Sequence, residues 1–297
     1  MSNPYPKLVV RIKSYDPVKL VGTLSPDEDI ANIIKQLESK TVYVPDVSGA
    51  FKNGDLITLY GKAAVRLYNL VSQLDYIEVL SYGQEGGGTG ISMLSNTNYF
   101  DYETNDLGSE VWNLLQTFDS FGKTVTLFSD ISESGFSSAL LNAGYLIVPE
   151  MENGPLAPDL SESAKSQIRN FVSYGNTLIM FYPENNSISF PNDVFGFNLE
   201  YDGGNYSDLN SGDASGTPFA SGPSNLESYS ATNSILTSTL PIGSKSIYTF
   251  NGGNNATVVQ IPYNGGKVII MGWDWYNAAP YGENDGGWLQ VLELAIS

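Results

Sequence analysis

The side chains most able to do chemistry are three carboxylates, Glu150, Glu184 and Asp274, each standing just beyond an apolar, strand-like run. Acids that follow successive parallel strands gather at the carboxyl edge of a sheet, where open α/β folds bind ligands. Paired at suitable separation, carboxylates hydrolyse glycosides, and as hard oxygen donors they hold Ca²⁺ or Mg²⁺. The same residues also cap helices and bond loop amides. The chain has no histidine and no cysteine, which removes the commonest general base, the commonest metal ligand and the thiolate nucleophile together. No catalytic residue, metal site or cofactor is therefore assigned. The loop Asp202-Gly203-Gly204-Asn205-Tyr206-Ser207-Asp208 offers oxygens but lacks the closing bidentate Glu and the spacing of a known Ca²⁺ loop.

Beside Asp274 lies the densest aromatic cluster, Trp273, Trp275, Tyr276 and Tyr281, interleaved with Asn277, Glu283, Asn284 and Asp285. Aromatic faces beside amides and acids stack on sugar rings while bonding their hydroxyls. Glu184, Trp273, Asp274, Trp275 and Tyr281 are thus the candidate ligand-binding residues. The competing reading is a strand-to-helix corner, in which alternation along the strand turns at least one of Trp273 and Trp275 inward. The run Gly86-Gly87-Gly88 is no phosphate loop, because no Lys-Ser/Thr follows it and no helix opens behind it.

With 14 basic against 32 acidic residues the formal charge is −18, which opposes a phosphate-binding surface and excludes nucleic acid as a partner. Only 15% of residues are charged while 12% are aromatic, so the exterior is neutral-polar rather than that of a disordered acidic tail. The first fifteen residues show no secretion-signal pattern, and no run approaches the ~20 apolar residues of a membrane span. Without cysteine there is no disulfide, so stability rests on core burial and on contacts within a homo-oligomer.

These residues need elements to position them, and the elements fall into two blocks. Residues 1–82 read as a β-rich anchoring domain with strands at Leu8–Ile12, Thr41–Val44, Leu56–Tyr60, Val65–Tyr68 and Tyr76–Leu80. Its one helix is opened by the capping box Ser25-Pro26-Asp27-Glu28. Residues 83–90 read as a Gly-rich linker. Residues 91–297 alternate strand and helix, which implies a mostly parallel sheet flanked by helices. The strands are Ile91–Leu94, Thr124–Phe128, Tyr145–Val148, Thr177–Phe181 and, later, Ser246–Phe250, Thr257–Pro262 and Lys267–Trp273. The helices run from Ser109 to Phe118, up to Gly144, from a cap at Asp159 to Gly175, and from Gly287 to Ile296. Residues 185–239 read as a long irregular excursion, and Asn264-Gly265-Gly266 as a tight hairpin turn.

The segments Phe171-Val172-Ser173-Tyr174-Gly175-Asn176-Thr177-Leu178-Ile179-Met180 and Gly265-Gly266-Lys267-Val268-Ile269-Ile270-Met271-Gly272-Trp273-Asp274-Trp275, with the late hairpin, carry a resemblance over residues 91–297 to class I glutamine amidotransferase-like domains, in particular ThuA-like modules. Active members place a nucleophilic Cys on a strained elbow after the central strand and a His after a late strand. Here the elbow reads Phe181-Tyr182-Pro183-Glu184 and the late position Gly272-Trp273-Asp274-Trp275, so the resemblance implies the fold without the activity. The resulting expectation is a non-catalytic structural or recognition protein, a phage virion component of the head-decoration, fibre or tail-associated kind. Its N-terminal domain would meet other structural proteins of the assembly, and its C-terminal domain would be displayed, with glycans as a further partner and no membrane contact. The alternatives are a carboxylate-dependent glycan hydrolase using Glu184 and Asp274, and a surface glycan-binding module.

Overall fold

The computed structural model describes the backbone of residues 6–12, 56–60 and 77–84, and residues 89–229 and 231–297 in full. The chain divides into two compact units, Met1–Gly87 and Gly88–Ser297. In the first unit, β1 (Pro6–Ile12) pairs antiparallel with β2 (Leu56–Tyr60) on one side and β3 (Ile77–Gln84) on the other, with a bulge between Val9 and Val10. The strands expected at 41–44 and 65–68, and the helix after Ser25, lie outside the described residues. Strand β3 takes in the first two residues of the glycine-rich segment.

The second unit is an α/β fold built on a mixed sheet of eleven strands. Its parallel stretch holds β4 (Gly90–Leu94), β5 (Val125–Phe128), β6 (Ala143–Val148), β7 (Thr177–Phe181) and β14 (Gly266–Met271), in the spatial order β14-β7-β6-β4-β5. Every residue of β7 is buried, as a central parallel strand covered on both faces requires. Helices α1 (Glu110–Ser120), α2 (Glu133–Ala139) and α3 (Glu162–Ser173) make the crossovers between the parallel strands. Beyond β14 the sheet turns antiparallel through β13 (Asn255–Tyr263), β12 (Lys245–Phe250), β9 (Ser207–Leu209) and β10 (Asn225–Leu226). A short pair, β11 (Asn233–Leu236) with β8 (Tyr201–Gly203), joins through β13.

Local chemistry explains most boundaries. Ser109 caps α1, its side chain accepting the Trp112 N–H at 3.2 Å, while Val111, Leu114 and Phe118 bury one stripe. The α3 cap is Ser161, which accepts the Ala164 N–H at 3.1 Å. The expected cap, Asp159, lies inside a single 3₁₀ turn, Ala157–Asp159, where the backbone is already helical, and its carboxylate accepts the Tyr99 hydroxyl at 2.7 Å. Helix α2 likewise stops at Ala139, and Gly144 belongs to β6, because pairing with β4 claims the chain from Ala143.

The expected excursion is more regular than its composition implies. It opens with α4 (Asn185–Phe195), which carries Pro191 inside it, and supplies four short strands to the sheet. The β13–β14 hairpin forms as expected. A Cβ on Gly266 would stand 2.1 Å from the Val172 carbonyl oxygen and one on Gly265 2.6 Å from that of Ser173. Glycine is needed there to let the turn lie against the end of α3. A closing helix, α5 (Trp288–Ala295), buries Trp288, Val291, Leu292 and Ala295. Among the described residues no helix is long and apolar enough to cross a membrane.

Candidate functional site

Strands β4, β6, β7 and β14 run parallel, so the segments after them share one edge of the sheet. Glu150 follows β6, Tyr182 follows β7, Asp274 follows β14, and the loop after β4 leads into α1 at Glu110. One carboxylate oxygen from each of Glu110, Glu150 and Asp274 lies within 4.8 Å of the other two, and the three residues are 4%, 7% and 6% exposed. A second group, Asp101, Glu110 and Glu152, shares Glu110 and reaches outward to the exposed Glu152.

Like charges drawn together out of water disfavour ionisation. Burial pushes Glu150 up to about 10, and Asp274, Glu110, Glu184 and Glu152 add to the effect. Burial raises Glu110 to about 9; its own backbone N–H at the start of α1 opposes the rise, while Glu152, Asp274 and Asp101 reinforce it. Asp274 rises to about 7, again by burial, and is held lower than its neighbours because its Oδ1 accepts the Tyr276 N–H at 2.9 Å. Glu110 Oε2 is buried and has no hydrogen-bond partner among the described residues.

The backbone around this cluster is strained. Tyr182, Trp275 and Asn277 have φ of 43°, 77° and 52°, a left-handed conformation that costs non-glycine residues roughly 1–3 kcal/mol each and persists where the surroundings enforce it. Tyr182 occupies the elbow after the central strand, its N–H donating to the Met271 carbonyl at 2.9 Å. Its phenol is pushed up to about 12 by burial and by Glu150, Glu184 and Asp274, against a hydrogen bond with the Asn233 side chain. The turn after β7 is sharp, and a protonated phenol stands on it.

Of the residues singled out from sequence, Asp274 and Glu150 meet. Glu184 stands half-buried at the start of α4, outside the 4.8 Å group, and its ionisation is disfavoured by burial and by Glu152. Trp273 and Trp275 are corrected from surface to core. Both are fully buried, 4.9 Å apart between ring centroids, with Trp288 and Tyr229 against Trp273 and Phe181 edge-on to Trp275. Standing two residues apart, the spacing that puts side chains on one face of an extended segment, both indoles turn inside, so neither is open to a sugar. Tyr281 and Tyr276 remain exposed, at 41% and 53%, with Tyr281 packed edge-on against Trp112 and its hydroxyl donating to the Asn105 carbonyl.

Glu110 escaped the sequence reading. An acid in the first turn of a helix is an ordinary complement to the helix dipole, and the only signal was that it directly precedes the buried Val111 stripe rather than facing away from it. In the loop Asp202–Asp208, Asp202 and Asn205 accept neighbouring backbone N–H groups, of Gly203 and Tyr206, each at 2.8 Å.

No family model matches the chain, and no curated protein matches it. Among solved structures it is similar to a putative ThuA-like protein from Bacteroides uniformis, with 12% identity over 70% of this chain and 90% of that one at a TM-score of 0.45. It is similar to a cytoplasmic protein from Salmonella typhimurium, with 11% identity over 69% and 98% at 0.44. It is also similar to an exo-β-1,4-mannosidase from an Opitutaceae bacterium, with 12% identity over 68% at 0.39, and there the chain spans only 33% of the other protein's length.

Proposed function

We propose that this chain is a recognition or structural protein that keeps the crevice geometry of an amidotransferase-like fold without its nucleophile. The observation that carries this reading is the elbow. Acyl transfer needs a side chain there that ionises or is activated by a base. The phenol of Tyr182 is held protonated by burial and three acids, and the chain contains no imidazole to take its proton. Glycoside hydrolysis by Glu184 and Asp274 is disfavoured by the 6% exposure of Asp274, which leaves no room for a sugar beside it. Recognition then falls to the rim, where Tyr276 and Tyr281 are exposed beside acids and amides.

The charge distribution supports attachment through the other unit. Residues 1–87 hold nine of the 14 basic residues and ten of the 32 acidic ones, so that unit is close to neutral while the second is strongly acidic. In this reading the near-neutral unit joins an assembly such as a virion and the acidic unit is displayed, resisting non-specific adhesion. The deciding experiment is incubation of the purified full chain with glutamine. Ammonia release should equal the buffer blank, and turnover that follows the protein through purification would overturn the reading. Detection of the chain in purified particles tests the setting separately.

A further inference from the structure

We infer that Glu110, Glu150 and Asp274 form a binding site for one hard divalent cation, Ca²⁺ before others. The argument begins with what is missing around the three acids. Among the described residues the ion pairs are Lys165 with Asp193 and Arg169 with Glu162, both on the α3–α4 side of the unit. Lys245 donates to the Ser215 carbonyl, Lys267 starts β14 at the opposite edge of the sheet, and Lys123 follows the far end of α1. Among the described residues no cationic side chain is therefore placed to neutralise the cluster, although burying ionised carboxylates without partners is strongly unfavourable.

The second observation is independent of the count of acids. Glu110, a member of the group, is only 4% exposed, and its Oε2 is buried with no hydrogen-bond donor among the described residues. Buried polar atoms are almost always satisfied, and an orphan acceptor on a carboxylate grouped with two others points to a missing positive partner. The donor set specifies the partner. All three ligands are carboxylate oxygens, and the chain has no imidazole or thiolate, so a hard cation is favoured over Zn²⁺ or Cu²⁺. Oxygens that lie within 4.8 Å of one another can share one Ca²⁺ at bonds of about 2.3–2.6 Å. The ion would join the segments after β6 and β14 to the start of α1.

The test uses the full chain stripped with chelator at pH 7.5. Ca²⁺ should raise the midpoint of thermal unfolding by about 5–10 °C once free ion exceeds the dissociation constant a hundredfold. Tb³⁺, which substitutes for Ca²⁺, should give luminescence on tryptophan excitation that saturates at one ion per chain, because Trp273 and Trp275 flank Asp274. Glu150→Gln and Glu110→Gln keep side-chain shape and remove one negative charge, so both should fold without the ion and weaken Tb³⁺ binding by about tenfold or more. Glu184→Gln, outside the cluster, should retain it. Absence of both the thermal shift and a saturable Tb³⁺ signal would overturn the proposal, and so would a signal that survives Glu150→Gln, since the ion would then sit elsewhere on an acidic exterior. The glutamine assay bears on neither outcome, so this site and the proposed function fail separately.

Discussion

Two acidic regions of the second unit use the same side chains to opposite effect. At the carboxyl edge of the parallel strands, Glu110, Glu150 and Asp274 are buried together and held well above their ordinary ionisation range. On the outer helices, Asp193 and Glu162 face solvent beside Lys165 and Arg169, and in the loop before α2 Asp130 is held below its usual range by the Ser132 backbone and side chain. The chemical group is constant, so the difference comes from desolvation and from the sign of the nearest charge. Acids in water beside a cation contribute little; acids buried without one are a standing strain on the fold that a proton or a metal ion relieves.

The largest expected break in this contrast is Trp275→Ala. The indole touches Phe181 and Trp273 and is fully buried, so its removal should lower stability by roughly 3–5 kcal/mol in denaturant titration. A loss under about 1 kcal/mol, the range of ordinary surface changes, would mean that the interior beside Asp274 in the chain is loosely packed and the contrast overstated.

Next comes pH. With chelator present, Glu110 and Glu150 keep their protons in the folded chain up to about 9 and about 10, and Asp274 up to about 7. The unfolded chain releases them near 4 to 4.5. Between those limits the folded state binds more protons, so stability falls as pH rises from about 5 to about 9. Thermal midpoints at pH 5, 7 and 9 should decline in that order. A flat or rising profile would place the three acids in water.

A smaller effect is expected from Ser161→Ala, which removes the α3 cap on the outer face and should cost about 1 kcal/mol. The smallest is Lys165→Met. The Lys165–Asp193 pair is half open to solvent on the Asp193 side, and its loss should change stability by less than about 1 kcal/mol with no dependence on Ca²⁺. If either outer substitution outweighed Trp275→Ala, the ranking of interior over exterior would be reversed.

Much of the scaffold could be read from residue order. The continuous apolar runs of β4, β6 and β7 and the stripes of α1 and α3 depend on nearest neighbours along the chain, and periodicity reports those directly. The hairpin at Asn264 was equally plain. The elements from 185 to 239 were not, because strands of two to four residues are too short for a period, and Pro191 argued against the helix that contains it. Near the site, the approach of Glu150 and Asp274 followed from strand order, but Glu110 did not, since a helix's first acid looks the same whether it faces water or another carboxylate.

By itself, then, the sequence determined what this protein lacks and where its charge lies. It has neither imidazole nor thiolate, most of its acid is in residues 88–297, and its parallel strands end in acids. Only the tertiary structure decided that three of those acids are buried within reach of one ion while Trp273 and Trp275 turn inward. Residue order along a strand sets which face a side chain takes. Whether the loops beyond the strand ends close over it depends on the packing of segments far apart in the chain, which no local pattern records.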